Sequence, residues 1–185
     1  MARRVRRLFR GGRVIDMGGG HGLLAQIMVL LDDSSPAALV VDKTLPPSSA
    51  RVHHVLVQAW PQLTGRIAFV AGRLEAIEIL DTDIVVSSHA CGGLTDVVLS
   101  RAAAARARVA VLPCCNDLTA GDAGGLAGWI DGSLAIDIMR ARQLSARGYR
   151  IWTQTIPADV TPKNRLLLGE PATVERSLSA VVHPV

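Results

Sequence analysis

Residues 14–22 read VIDMGGGHG, an apolar strand that runs straight into a glycine loop and out into an apolar helical stretch. This is a strong constraint on the fold. Gly18, Gly20 and Gly22 let backbone amides approach a ligand closely, and the helix that follows turns the positive end of its dipole toward the same point. A dinucleotide loop places glycines at relative positions one, three and six, whereas Leu23 stands at the sixth position here. The pattern is instead D-x-G-x-G-x-G, opening on Asp16. Asp42 closes the next apolar run, 20 residues beyond Gly22, where a carboxylate can accept hydrogen bonds from a ribose diol.

The rest of the chain repeats this grammar. Strand-like runs at 13–17, 37–42, 66–72, 83–89 and 108–114 alternate with helical segments at 22–33, 50–63, 74–80 and 94–107, the sign of βα units on a parallel sheet. In the first helix, Leu23, Leu24, Ile27, Met28 and Leu31 fall on one face and predict its buried side. Residues 119–132 hold five glycines and Trp129, which reads as a loop. Ser133 is placed to cap a helix that ends at Gly148, and 149–156 with 165–171 close the sheet as a strand pair.

At 185 residues this is one domain with a full core. Three cysteines make no disulfide framework, which points to a reducing, cytoplasmic setting. The longest apolar run is too short to span a bilayer, and Asp16 with the glycines interrupts any signal-peptide pattern. The net charge is +4, with 18 arginines. Six of these lie in residues 1–13, with no acid, whereas 14–41 contain no lysine or arginine. Such an arm suits phosphate-rich partners, or is a solvated terminus.

The motif from Asp16 to Gly22, with Asp42, resembles motif I of the class I S-adenosylmethionine-dependent methyltransferases. The resemblance implies an α/β, Rossmann-like class I methyltransferase fold: a mostly parallel seven-stranded sheet, order 3-2-1-4-5-7-6, with helices on both faces. It assigns the cofactor S-adenosyl-L-methionine, and its product S-adenosyl-L-homocysteine, to Asp16, Gly18, Gly19, Gly20, His21, Gly22, Asp42, Lys43, Arg73, Leu74 and Ser88. HACGGLTD at 89–96 and PCC at 113–115 resemble one branch of these enzymes, related to the tRNA acceptor-stem ribose methyltransferase domain. The likeness runs over residues 13–170, giving a basic arm at 1–13, a methyltransferase domain at 14–170 and a tail at 171–185. The branch's tRNA enzyme continues after its cysteine pair with further histidines and cysteine, but this chain reads Asn116-Asp117. Ribose methylation is therefore not carried over.

Cys91, Cys114 and Cys115 all fall just past two strands that such a fold sets side by side. They suit a metal site, a nucleophile or a pocket wall. Adjacent cysteines on a strand point to opposite sides, so no metal is expected and the pocket wall is favoured. Methyl transfer needs positioning above all, and a base only where the acceptor must lose a proton. His89 is the candidate base, with Cys91 and Asp96 beside it. Cys115, Asn116, Lys163, Asn164 and Arg165 are the candidate acceptor-binding residues. RNA is the expected acceptor through the basic arm. A small metabolite or protein side chain, a cofactor-binding module needing a partner subunit or homodimer, and a nicotinamide enzyme are the alternatives.

Overall fold

The computed structural model describes residues 1–88 and 91–172. Seven strands form one sheet: β1 (Val14–Met17), β2 (Ala38–Asp42), β3 (Ile67–Ala71), β4 (Ile84–Ser87), β5 (Arg108–Val111), β6 (Tyr149–Thr155) and β7 (Arg165–Pro171). Their order is β3-β2-β1-β4-β5-β7-β6, as the resemblance implies. The first five pair in parallel, and β7 runs antiparallel to both β5 and β6. Among the described residues five α-helices accompany them: α1 (Ala2–Leu8), α2 (Leu23–Leu30), α3 (Ser49–Ala59), α4 (Gly93–Ala104) and α5 (Gly132–Ala146).

Helices cover both faces, so the central strands are buried throughout and alternate between two cores. Val14, Val40, Ile84, Val86, Ala110 and Leu168 pack with Val5, Phe9, Ala25, Met28 and Val29 from the α1 and α2 side. Ile15, Met17, Val41, Val85, Val109, Val111 and Leu167 pack with Val98, Leu99 and Ala102 of α4 and Leu144 of α5.

Three local expectations are corrected. The N-terminal stretch is no free arm, because Ala2–Leu8 form a helix that buries Ala2, Val5 and Arg6. The Arg6 guanidinium donates to Met28 O at 3.0 Å and Ser35 Oγ at 2.6 Å, and pairs with Asp32 at 3.1 Å. Secondly, the buried face of α2 is Ala25, Gln26, Met28 and Val29, while Leu23 and Ile27 are about half exposed. Thirdly, α5 is capped by Asp131, whose side chain accepts from Leu134 N, and Ser133 lies inside the helix. Gly148 does take the left-handed conformation after α5, with φ 78°.

Candidate functional site

The glycine loop sits where β1 ends, between β2 and β4. Gly18 and Gly19 donate their N–H groups to Val41 O, which stitches the loop to β2. Gly20 N donates to Asp42 Oδ2 at 3.0 Å, so the acid at the end of β2 is tied to the loop it faces. A Cβ on Gly20 would meet nothing within 4 Å, so the loop opens at this point. At Gly22 it would meet Val40 Cγ2 at 2.7 Å and the Phe69 ring at 2.9 Å, and φ is +71°. Glycine is required there for packing. Beneath the loop Asp16 is 1% exposed; its Oδ2 accepts from Ala25 N at 3.2 Å, and Oδ1 is buried without a partner. Burial pushes this carboxyl up to about 7, against the lowering by the Ala25 amide, and the Asp42 charge adds to the rise.

These elements enclose a cavity of about 410 Å³ lined by Gly18, Gly19, Gly20, His21, Leu23, Leu24, Asp42, Ser88 and Leu94. Six of the residues read from the sequence as cofactor-binding therefore share one space. His21 is oriented by its Nε2, 2.8 Å from Ser48 Oγ. The structure does not bring Lys43, Arg73 and Leu74 to this lining. Lys43 is exposed, Arg73 pairs with Glu75 at 3.5 Å, and the Leu74 side chain is buried in the core. Leu23, Leu24 and Leu94 went unread as lining residues. Their half-exposed apolar side chains at two helix starts carry no motif, and only the fold sets them side by side.

A second set of residues gathers at the carboxyl ends of β4 and β5. Arg140 of α5 is 3% exposed and grips Asp96 through Nε at 2.7 Å and Nη2 at 3.0 Å. It also donates to Asn116 Oδ1 at 2.6 Å and Gly92 O at 3.1 Å. Asp96 and Asn116, read as catalytic and acceptor-binding, are thus the partners of a buried guanidinium that clamps α5 to both loops. Arg165 pairs with Asp137 at 2.7 Å, and Asn164 donates to Ile156 O at 2.8 Å. Lys163 is exposed on the same loop. Arg4, Pro113, Asp137, Gln154 and Arg165, among mostly apolar neighbours on α5, β6 and β7, line a larger cavity of about 640 Å³.

The thiols depart most from expectation. Cys114 and Cys115 lie beyond the end of β5 in an irregular segment after Pro113, so strand alternation does not separate them. Their sulfurs and that of Cys91 all lie within 4.8 Å of one another, and Cys91 Sγ is 2.7 Å from Cys114 Sγ. Hydrogen bonding to Cys114, then burial, pushes the Cys91 thiol up to about 12, the wrong direction for a nucleophile. His89 lies outside the described residues.

Residues 3–121 match a family described as a methyltransferase domain. The chain belongs to that methyltransferase domain family. No curated protein sequence matches it. Among solved structures it is similar to an O-methyltransferase family protein from Burkholderia thailandensis, with TM-score 0.60 and 18% identity over 95% of this chain and 56% of that one. It also resembles the pyocyanin biosynthetic protein PhzM, with TM-score 0.58 and 17% identity over 92% and 54% of the two chains. M. capricolum TrmK, in complex with its natural cofactor product S-adenosyl-homocysteine, gives TM-score 0.59 and 15% identity over 93% and 67%. At these identities the likeness is one of fold. The chain spans little more than half the length of the first two.

The donor that the resemblance to class I methyltransferases assigns to this loop is S-adenosylmethionine. The residues present fit it. The loop is open at Gly20, and Leu23, Leu24 and Asp42 line the same cavity. No helix among the described residues is long and apolar enough to cross a membrane.

Proposed function

We propose that this domain is an S-adenosylmethionine-dependent methyltransferase that modifies RNA. The observation that carries the donor half is the cavity shared by the glycine loop, Asp42 and Ser88. Bound there, the donor supplies an electrophilic methyl group on a sulfonium; the protein's task is to hold the acceptor in line with it. Asp42 suits the ribose hydroxyls, and the α2 amides suit the amino-acid carboxylate.

The acceptor half rests on charge and shape. Arg3, Arg7 and Arg10 are exposed on and just after α1, and Arg4 lines the 640 Å³ cavity. Phosphates tracked along that face would bring a nucleotide to the cavity mouth. The apolar wall of the same cavity, with Leu134, Ile138 and Ala141, favours a second reading in which a small aromatic metabolite fills it.

Donor carrying a labelled methyl group, incubated with separate pools of RNA, protein and small metabolites, tests this. Label in RNA, lost when Arg3 and Arg7 are both changed to Glu, is expected. Label confined to metabolites moves the proposal to the second reading. Absence of S-adenosylhomocysteine binding overturns the donor site itself.

A further inference from the structure

We propose that Cys91, Cys114 and Cys115 form a binding site for a thiophilic divalent cation, zinc by preference, with its fourth position open. The site is separate from the donor cavity and does not depend on what the domain methylates.

The argument begins with spacing. A tetrahedral zinc with Zn–S bonds of about 2.3 Å sets its sulfurs about 3.8 Å apart. Three sulfurs that all lie within 4.8 Å of one another already surround such a centre. The Cys91–Cys114 separation of 2.7 Å has to widen by about 1 Å, well within the reach of side-chain torsions. No acidic or basic side chain is needed to complete the set.

The backbone carrying the thiols is held from both sides. Gly92 N donates to Cys115 O at 2.7 Å, joining the loop after β4 to the loop after β5. Arg140 then fastens Gly92 O and Asn116 Oδ1, the residues that follow Cys91 and Cys115. The buried guanidinium thus explains how two loops far apart in sequence keep three thiols together. Support of this kind around ligating residues is what metal sites need.

Exposure decides the type of site. Cys91 and Cys115 are exposed and Cys114 is half-buried, so the cluster faces outward. Among the described residues the set stops at three ligands, the number found in zinc sites that keep a position for water or substrate, whereas structural sites are closed. Ser88, three residues before Cys91 in the chain, lines the donor cavity.

Cobalt is the probe. The whole chain, fully reduced and stripped with chelator under nitrogen, is titrated with Co²⁺ and then with Zn²⁺. One cobalt per chain is expected, with strong thiolate-to-cobalt absorption and the visible bands of a tetrahedral ion, all bleached by zinc. Cys91→Ser, Cys114→Ser and Cys115→Ser should each weaken binding by at least about tenfold, since loss of a supporting residue alone costs that much. Circular dichroism confirms that each variant is folded. A folded, reduced chain without the thiolate band overturns the proposal. So does a band that survives Cys115→Ser unchanged, or thiols that only close a Cys91–Cys114 disulfide and bind no cobalt once reduced.

Discussion

Asp42 and the Gly20 amide act as one unit, because the carboxylate that faces the cavity also fixes the loop at 3.0 Å. Asp42→Ala is expected to weaken S-adenosylhomocysteine binding by about 2 kcal/mol, roughly thirtyfold, with Asp42→Asn intermediate; titration calorimetry measures both. Asp16 gives a pH signature. Its folded carboxyl is raised to about 7 from an ordinary 3.8, so between those values the folded state binds the proton that the unfolded state has lost. The favourable contribution is complete below about pH 4 and is lost as pH rises through 7, with about 4 kcal/mol spread over the window. Asp16→Asn should flatten urea-derived stability against pH over that range; an unchanged slope would show that the carboxyl titrates normally. The loop residues were legible in the sequence because strand, glycines and acid lie close together in the chain. Lys43, Arg73 and Leu74 lie off the cavity lining, because a side chain's direction past a strand end depends on the next packed element. Leu94 enters the cavity from α4, far along the chain, and local pattern carries no trace of that.

At the scale of elements, α1 shows how a charged segment becomes part of the fold. Its arginines read as a solvated arm, since nothing nearby in sequence pairs with them. Arg6 finds Asp32 and Ser35 only after β1 and α2 have folded back, and there both members of the ion pair are almost fully buried. Burial pushes the Arg6 guanidinium down to about 10, while Asp32 holds it charged. Arg6→Met keeps the bulk but leaves Asp32 with only Arg10, Gly11 N and Ser34; a loss of about 3 kcal/mol is expected in urea unfolding. Hydrogen exchange should show α1 opening first. The Arg140 cluster makes the matching case on the other side of the sheet. Asp96→Ala takes the two-point partner from a buried guanidinium and leaves it Asp137, Asn116 and Gly92 O, and the loss should shrink in a double-mutant cycle with Arg140→Met. A full loss of transfer in Asp96→Ala with unchanged stability would return Asp96 to the catalytic role first read for it. The βα alternation itself was legible because its periods are local. The buried face of α2 and the Asp131 cap were not, because several registers of the same apolar and polar residues satisfy the sequence equally well.

The whole molecule divides labour across the sheet: the carboxyl ends of β1, β2, β4 and β5 carry the donor cavity and the thiols, while α1 and the two cores carry stability. That division predicts how ligand and mutation combine. S-adenosylhomocysteine at a hundredfold excess over its Kd should raise the unfolding free energy by about 2.7 kcal/mol. At this size that is about 5–10 °C in Tm. At the same ligand concentration, Asp42→Ala should reduce the gain to below about 1 kcal/mol with little change in the ligand-free Tm. Arg6→Met should do the reverse, lowering the ligand-free Tm and retaining the full ligand shift, because α1 lies outside the donor cavity. Differential scanning calorimetry of the wild type and the two variants, with and without ligand, gives all six values. A shift lost in Arg6→Met would mean that the N-terminal helix shapes the donor site from a distance, and that stability and binding here are one property.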